Sequence, residues 1–319
     1  MATPVILDVD TGVDDALAIL FAVAHPDIEV RGITCVGGNA PLDAVVANTL
    51  RILDAAGAPA IPVAAGARRP LIAPPRAATE THGADGLGGL ELPESRRVIE
   101  AEGAVATLRR LITTSAERVT LVALAPQTNL ALLLRTHPEV VENIERIVFM
   151  GGSAGSGNAT AVAEFNVWHD PEAAAIVLDS GVPAYMYGLD VFTKVAIPRD
   201  VAERLSRATD AHVRVVGHLL GHRVSQTPDH HYTGLIGDAG ALCSIVDPGA
   251  LRTEHRPVSV ELAGYARGQT LVDRRDLPGE DALHGGAAQW PSVEVALEVD
   301  APRMARLFLD TVTGAVTGV

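Results

Sequence analysis

Lysine is nearly absent from this chain, since Lys194 is the only one among 319 residues. This scarcity argues against a phosphate-binding loop and against most Schiff-base chemistry, because both need a lysine in a particular setting. Cysteine is almost as rare: Cys35 and Cys243 lie in apolar sequence, which indicates buried thiols and no disulfide framework. Aromatic residues make up 3% of the chain, although 48% of it is hydrophobic. The core is therefore expected to consist of Ala, Val, Leu and Ile.

Long apolar runs are also missing, because no stretch reaches the ~18 apolar residues that a membrane-spanning helix needs. The first strand-like segment starts almost at the N-terminus, which leaves no room for a signal peptide. We therefore expect a cytoplasmic protein without a membrane partner. Positive charge is scarce as well: the formal net charge is −14, which argues against a nucleic-acid or anionic-membrane partner.

The chain does contain a cluster of four carboxylates near its N-terminus, in a segment that reads LDVDTGVDDAL from residue 7 to residue 17. An apolar run precedes the cluster and a helical pattern follows it, which predicts a strand, a tight turn and a helix. One Asp could be an ordinary N-cap, but four like charges at one junction repel each other. A hard divalent cation with oxygen ligands would explain all four: Asp8, Asp10, Asp14 and Asp15.

Strand-like and helix-like segments alternate through the first two thirds of the chain. The predicted strands are residues 5–8, 30–35, 62–64, 119–124, 147–150 and 184–187, and the predicted helices are residues 14–24, 42–56, 103–114, 128–134 and 171–179. Long aperiodic loops are expected at residues 68–93 and 151–170. The last third is more helical, with helices at 201–208, 211–224, 238–246 and 304–312 and strand-like pieces at 258–262 and 293–299.

This alternation predicts an α/β fold with a mostly parallel central sheet and helices on both of its faces. No linker, repeat or low-complexity tract divides the sequence, so we expect residues 1–319 to form a single domain. In such sheets, ligands bind outside the carboxyl ends of the strands. The acidic cluster and both long loops are therefore expected at that edge.

Four further features have an ordinary structural explanation. The sequence GGSAG from residue 151 fits the nucleophile elbow of serine hydrolases, but a loop-like segment follows where an elbow needs a helix. Glu164 and Asn166 alternate with apolar residues, either at a half-exposed strand edge or as groups that hydrogen-bond a polyol. Asp238 opens an apolar helix, where N-capping alone would suffice, and a loop histidine such as His82 is usually only solvated.

Taken together, these stretches resemble the calcium-dependent nucleoside hydrolases, the inosine-uridine-preferring ribohydrolases. The hallmark of that family is an N-terminal D-x-D-x-G-x-D-D, which here runs from Asp8 to Asp15. Other family-like stretches are VGGN from residue 36, HGADGLG from 82, LAPQTN from 124, MGG from 150, EFN from 164, DPEAA from 170 and ARGQT from 266. The resemblance covers nearly the whole chain. It implies the Rossmann-like nucleoside hydrolase fold, hydrolysis of ribonucleosides in purine or pyrimidine salvage, and a homodimer or homotetramer.

The resemblance also implies which residues bind the metal. The ligands of Ca²⁺ would be Asp10, Asp15, Asp238 and the backbone carbonyl of Leu124, and Asp10 would also take the proton from a metal-bound water. Ca²⁺ accepts six to eight oxygen ligands, so it could hold carboxylates, water and ribose hydroxyls together. The N-glycosidic bond would break through an oxocarbenium-like ribosyl cation, whose developing charge nearby carboxylates stabilise.

The substrate contacts follow from the same resemblance. The ribose 2′- and 3′-hydroxyls would be held by Asp14 and Asn166, and the 5′-hydroxyl by Asn158 and Glu164. Asn39 would buttress the aspartates, and His82 would flank the base. We also include Trp168, two residues after the Glu-Phe-Asn motif, among the candidate substrate-binding residues.

The chain departs from the family pattern at one position. In many members a histidine that protonates the departing base precedes the late metal-binding aspartate, whereas here that position is Gly237. The upstream residues that could replace it, or that could be merely solvated, are His230, His231 and Tyr232. Two alternatives to a nucleoside hydrolase stay open at this point. One is a serine hydrolase that uses Ser153, and the other is a Ca²⁺-dependent riboside-binding protein without turnover.

Overall fold

The structure is a computed structural model, and it describes residues 2–225, 234–277, 279–285 and 289–314. Within these ranges the strands are β1 Thr3–Val9, β2 Ile28–Cys35, β3 Val63–Ala65, β4 Val119–Ala123, β5 Ile144–Met150, β6 Ala184–Tyr187, β7 Ala196–Ile197, β8 Gly234–Leu235, β9 Leu251–Val260, β10 Thr270–Val272 and β11 Ser292–Val299.

The helices of the described ranges alternate with these strands. They are α1 Val13–Ala24, α2 Leu42–Ala55, α3 Thr79–His82, α4 Ala104–Thr114, α5 Thr128–Thr136, α6 Phe165–His169, α7 Pro171–Leu178, α8 Leu189–Phe192, α9 Arg199–Ser206, α10 Ala211–Ser225, α11 Ala239–Val246, α12 Glu280–Leu283 and α13 Ala301–Val312. Among the described residues, no helix is both long and apolar enough to cross a bilayer.

Nine of these strands form one sheet in the order β10-β9-β11-β6-β5-β4-β1-β2-β3. The strands from β11 to β3 in this order run parallel, whereas β9 pairs antiparallel with both β11 and β10. The chain runs outward from β1 to β3 and then returns to β4 on the other side of β1. This reversal creates a crevice at the carboxyl ends of β1 and β4, which is where such sheets bind ligands.

Two apolar cores cover the two faces of the sheet. On β1, Val5, Leu7 and Val9 belong to the core that includes helices α1, α2, α10, α11 and α13. Ile6, which points the other way, belongs to the core that includes α4, α5 and α7. Because side chains alternate along a strand, a continuous apolar strand such as β1 supplies both cores at once. The predicted α/β architecture is therefore confirmed.

The structure differs from the predicted elements in the segments that were expected to be loops. The first long loop contains the short helix α3, and the second contains α6. The strand-like piece at 258–262 overlaps only the last three residues of the ten-residue strand β9, and β10 was not predicted at all. Helices α3 and α6 are four and five residues long, so their apolar residues do not repeat often enough to reveal a helical period.

Candidate active site

The turn between β1 and α1 is held by the carboxylate of Asp15. Its two oxygens accept hydrogen bonds from the backbone amides of Gly12, at 2.9 Å, and Asp10, at 3.2 Å. An acidic side chain is favoured here because the first turn of a helix presents unpaired N–H groups. A Cβ at Gly12 would lie only 2.6 Å from Nδ1 of His82 and 2.8 Å from Nδ2 of Asn39. Glycine therefore lets both side chains approach the turn.

Asn39 joins the carboxylates of Asp10 and Asp15. Its backbone amide donates to Asp10 Oδ2 at 2.6 Å, and its side-chain amide donates to Asp10 Oδ1 at 3.0 Å and to Asp15 Oδ2 at 3.2 Å. Burial and the neighbouring Asp15 charge raise the pKa of Asp10 well above its ordinary value. Burial and the Asp14 charge raise the pKa of Asp15 to about 7. Asn39 thus donates hydrogen bonds to both carboxylates.

Three buried carboxylates converge beside this turn. Oxygens of Asp14, Asp15 and Asp238 all lie within 4.8 Å of one another. Asp238 begins α11, but its side chain makes no capping hydrogen bond to that helix, so N-capping does not account for it. Leu124 lines the same cavity, and its carbonyl accepts a hydrogen bond from Asn166 Nδ2 at 3.0 Å. A set of carboxylate and carbonyl oxygens fits a hard cation such as Ca²⁺.

Two of the four motif carboxylates are not part of this group: Asp10 is connected to Asp15 through Asn39, and Asp8 is held elsewhere. Asp8 Oδ1 accepts hydrogen bonds from Thr34 Oγ1 at 2.6 Å and from Asn129 Nδ2 at 2.8 Å. The expectation that one cation explains all four carboxylates is therefore wrong for Asp8. Asp8 lies within β1, between β2 and β4, whereas Asp10 lies beyond the end of the strand. Burial raises the pKa of Asp8 to about 7.

A cavity of about 210 Å³ opens at the carboxyl ends of the central strands, and most of the predicted site residues face it. Asp10 and Asp15 are fully buried beside the carboxylates that line it. Polar side chains therefore face the carboxylate group across one small cavity. Its lining consists of Asp14, Asn39, Ala78, Thr81, His82, Leu124, Met150, Asn158, Ala159, Glu164, Phe165, Asn166, Phe192 and Asp238.

Glu164 and Asn166 lie at the start of α6, so the alternative of a half-exposed strand edge is wrong. The Glu164 carboxylate caps this helix by accepting from the backbone amides of Asn166, at 2.9 Å, and Val167, at 3.1 Å. It also accepts from the Gly152 amide at 3.0 Å. Burial nevertheless raises the pKa of Glu164 to about 7. These bonds fix the direction of the carboxylate at the cavity wall.

His82 and Asn158 complete the polar lining. His82 Nδ1 accepts the backbone N–H of Val13 at 3.1 Å and lies 3.6 Å from Asp14 Oδ1. A neutral His82 ring that accepts at Nδ1 carries its proton on Nε2. Asn158 Oδ1 accepts the backbone N–H of Phe165 at 3.0 Å, which leaves its amide nitrogen as the donor group at this end of the cavity.

Two of the residues considered from sequence lie elsewhere. Trp168 does not line the cavity: its ring packs under the guanidinium of Arg76, whose carbon lies 3.8 Å from the ring centroid. Ser153 is buried, and its hydroxyl accepts the Gly155 amide at 2.9 Å and lies 3.5 Å from Asp190. Neither contact supplies the histidine or lysine base that activates a nucleophilic serine.

Gly237 is confined to glycine by its surroundings. Its φ of +57° lies in the left-handed region, and a Cβ on this backbone would overlap the side chain of Asp14. A histidine at this position would therefore need a different backbone. The residues proposed to replace it lie outside the described part of the chain: His230, His231 and Tyr232.

Sequence reasoning missed several residues that face the cavity. Met150 ends β5, and Phe192 belongs to α8, which follows the carboxyl end of β6. Phe165 lies between the two polar residues that were singled out. For Met150 and Phe192 a signal was available, because residues at or just after the carboxyl end of a parallel strand face the ligand-binding edge. These residues give the polar cavity an apolar wall.

The model of the inosine-uridine preferring nucleoside hydrolase family matches residues 5–306 of this chain. The pyrimidine-specific ribonucleoside hydrolase RihA of Citrobacter koseri is 40% identical over 304 residues, which cover 94% of this chain and 95% of the relative. The structure of a plant nucleoside hydrolase, PpNRh1, has a TM-score of 0.90 at 29% identity and covers 98% of this chain and 99% of its own. A purine-preferring ribonucleoside hydrolase from Gardnerella vaginalis has a TM-score of 0.88 at 30% identity, with 98% of each chain covered.

The chain therefore belongs to the inosine-uridine preferring nucleoside hydrolase family. It is accordingly an N-ribosyl hydrolase, an enzyme of the class that cleaves the bond between a ribose and its base.

Proposed function

We propose that this chain hydrolyses ribonucleosides by direct attack of water on the anomeric carbon of ribose, at a Ca²⁺ site beside Asp10. The observation that carries this proposal is that one cavity brings carboxylates opposite polar side chains that can hydrogen-bond the hydroxyls of a ribose. A homodimer or homotetramer, a cytoplasmic location and a place in nucleoside salvage stay predictions.

The residues that would hold the cation are Asp10, Asp15, Asp238 and the Leu124 carbonyl. Asp15 and Asp238 belong to the group whose oxygens lie within 4.8 Å of one another, and Asn39 connects Asp10 to Asp15. Bound there, Ca²⁺ would lower the pKa of water and accept the ribose diol as further oxygen ligands.

Asp10 is proposed as the general base. It is fully buried, and Asn39 donates to both of its oxygens, so its carboxylate is fixed in direction. A group that is held in place at hydrogen-bond distance from the attacking water removes the proton without first having to find it. Asp14 faces the cavity and is proposed to stabilise the positive charge that develops on the ribose as the base departs.

Ribose is proposed to lie with its 2′- and 3′-hydroxyls at Asp14 and Asn166. The Asn166 amide nitrogen donates to the carbonyls of Leu124, at 3.0 Å, and Met150, at 3.2 Å, so its oxygen is left for the cavity side. The 5′-hydroxyl is proposed to lie at Glu164 and Asn158. His82, which donates through Nε2, is proposed to flank the base.

Pyrimidine ribonucleosides are proposed as the better substrates. Support comes from relatives at 38–40% identity, which are named pyrimidine-specific ribonucleoside hydrolases. Support is weaker for purines, because the purine-preferring structure is 30% identical. The competing proposal, hydrolysis by Ser153, is disfavoured because Gly155 and Asp190 already engage its hydroxyl.

The proposal is tested by measuring released ribose with uridine, cytidine, inosine and guanosine in the presence of Ca²⁺. We expect turnover of the ribonucleosides, fastest for the pyrimidines, and very little turnover of 2′-deoxyuridine. A site that hydrogen-bonds a substrate hydroxyl can reject the deoxy analogue by ~10⁴–10⁵. Equal kcat/KM values for uridine and 2′-deoxyuridine would contradict the proposed ribose contacts, and turnover that is unchanged after chelation would contradict the Ca²⁺ site.

A further inference from the structure

The glycine-rich segment after β5, residues 151–155, is held in place although it has no secondary structure of its own. The Gly152 carbonyl accepts the backbone N–H of Leu189 at 3.0 Å, and the Ala154 amide donates to Asp190 Oδ2 at 2.8 Å. The Gly152 amide donates to Glu164 Oε2 at 3.0 Å. The segment therefore connects the rest of the fold to the carboxylate that we place at the ribose 5′-hydroxyl.

Thr270 binds this segment from the opposite side. Its hydroxyl donates to the Ser153 carbonyl at 2.7 Å and accepts the Ser153 backbone N–H at 2.8 Å. One hydroxyl group can satisfy a donor and an acceptor at once, whereas valine, which has nearly the same shape, can satisfy neither. Thr270 is buried and begins β10, the edge strand that the sequence did not predict.

The contact between Thr270 and Gly152 is close enough to set the position of residues 151–155. Gly152 has a φ of +69°, and a Cβ there would lie 2.6 Å from Thr270 Cγ2 and 2.9 Å from Thr270 Oγ1. The backbone of Gly152 therefore packs directly against the threonine side chain. The planar peptide unit that contains the Ser153 N–H also contains Gly152 Cα, so a shift at Ser153 moves this Cα and with it the Gly152 nitrogen that donates to Glu164.

We propose that Thr270 is a positioning residue that sets the preference of the enzyme for substrates with a ribose 5′-hydroxyl. It acts by holding Ser153 and, through Gly152 Cα, the position of the Gly152 nitrogen whose N–H donates to Glu164. This inference rests on the proposed placement of the 5′-hydroxyl at Glu164. Thr270 itself does not line the cavity, so it touches neither substrate nor metal.

The test compares kcat/KM for uridine with kcat/KM for 5′-deoxyuridine in Thr270→Val, Thr270→Ser and the unmodified enzyme. The ratio of these two values does not depend on how much of a preparation is folded. We expect Thr270→Val to reduce the ratio by at least about tenfold, because a hydrogen bond to a charged group is worth a factor of that size or more. Thr270→Ser keeps the hydroxyl and should keep the ratio within about threefold.

Thr311→Val is the matched control, because Thr311 is equally buried but its hydroxyl donates only to the Leu307 carbonyl within α13. Its ratio should be unchanged. Thr270→Ala removes the hydroxyl without placing a second methyl group against Gly152, so it supplies the same measurement if the valine variant does not accumulate.

The variant Glu164→Gln distinguishes the two ways in which the inference can fail. A ratio that collapses in Glu164→Gln but not in Thr270→Val shows that Thr270 does not position this carboxylate. A ratio that is the same in the unmodified enzyme and in Glu164→Gln shows that the 5′-hydroxyl is not read by Glu164, and the failure then belongs to the proposed function.

Discussion

Two aspartates of the same motif, Asp8 and Asp10, illustrate how different the roles of adjacent acidic residues can be. Both are buried, yet Asn39 holds Asp10 beside the carboxylate group, whereas Thr34 and Asn129 hold Asp8 inside the sheet. The role of each carboxylate follows from its partners and from its position relative to the end of β1.

This difference leads to the first prediction. Asp10→Asn should lower kcat by at least ~10²-fold, because the amide cannot accept the proton of water. Asp8→Asn should keep kcat within a few-fold, since an amide oxygen can still accept from Thr34 and Asn129. Steady-state kinetics with uridine measure both. Ser153→Ala should also cost little, and a large loss there with an active Asp10→Asn would support the serine-hydrolase mechanism instead.

Gly237 leads to a prediction about the leaving group. General acid catalysis is typically worth about 10²–10⁴-fold, and glycine supplies none. p-Nitrophenyl riboside, whose leaving group needs no proton, should therefore be hydrolysed far faster than uridine or inosine. His230→Ala and His231→Ala should barely change the inosine rate. If one of them removes ~10²-fold and natural nucleosides match the activated riboside, a histidine upstream of Gly237 is the general acid.

His169 leads to a prediction about pH. Burial lowers the pKa of this ring from 6.5 to about 4, and neither ring nitrogen has a hydrogen-bond partner among the described residues. In the unfolded chain His169 therefore binds a proton near pH 6.5, whereas in the folded chain it binds this proton only near pH 4. The contribution to stability is complete above pH 6.5 and is lost as the pH falls toward 4.

Urea unfolding at about pH 7.5 and at about pH 4.5 measures this effect. Between these two conditions the free energy of unfolding should fall by about 2 kcal/mol more in the unmodified protein than in His169→Leu, which cannot titrate. An equal fall in both proteins would show that His169 is not the group responsible.

At the scale of the element, Asp170 connects three parts of the fold. It caps α7 by accepting from Ala173 N at 3.1 Å, and its other oxygen accepts from Thr128 Oγ1 at 2.6 Å and from Leu71 N at 2.9 Å. Leu71 belongs to the segment that leads to α3 and His82, and Thr128 begins α5. A single buried carboxylate thus fixes a helix, its neighbour and one approach to the cavity.

Asp170→Ala should therefore destabilise the protein by about 2–4 kcal/mol, more than a simple cap, because buried partners are left without an acceptor. Asp300→Ala is the matched control: Asp300 caps α13 through Arg303 N at 3.1 Å, and this bond is exposed. It should cost about 0.5–2 kcal/mol. Chemical denaturation measures the free energy of unfolding of both variants. Equal losses of this free energy would mean that the hydrogen bonds from Thr128 and Leu71 to Asp170 contribute nothing to stability.

Elements that are long enough to show a clear apolar pattern could be predicted from the sequence, and short elements could not. Residues 14–24 and 119–124 were placed within one residue of α1 and β4, because α1 and β4 are apolar over most of their length. Helix α6 is five residues long and is fixed by the Glu164 cap and its contacts with Gly152, which lie twelve residues apart in sequence. Contacts of this kind are tertiary, so no local pattern encodes them.

Several of the site residues that the family resemblance implied follow strands. Asp10, Leu124 and Asn39 follow β1, β4 and β2, and all three lie at or beside the cavity. Trp168 was placed at the substrate by its proximity to Asn166, but residues two apart on a helix face different directions. Its partner Arg76 comes from a loop whose path the sequence does not reveal.

At the scale of the whole molecule, a cation bound at Asp10, Asp15 and Asp238 would join the start of the chain to its last third. A ligand that binds only the folded state stabilises it by about 2.7 kcal/mol at a hundred times its Kd. We therefore expect Ca²⁺ to co-purify, and chelation to lower the Tm and abolish turnover together. Calorimetry with Ca²⁺ added back measures the recovery. Mg²⁺ should restore less, because it demands a stricter octahedral geometry.

Asp238→Asn should lose the Ca²⁺-dependent part of the Tm while keeping most of the Tm of the stripped protein. A Tm that changes neither on chelation nor in Asp238→Asn would show that no cation joins the β1–α1 turn to Asp238.

The position of β1 in the middle of the sheet has a consequence for biosynthesis. This strand is made before the other strands of the sheet, but it lies between β2 and β4. The carboxylate of Asp238 joins its acidic turn only after the intervening strands have been made. Until then the nascent protein carries a row of aspartates without the cation that we propose, next to an apolar strand that has an open edge. Chaperones that hold the growing chain are therefore expected to engage it early, and translation products that stop before residue 238 should neither bind Ca²⁺ nor reach the folded state.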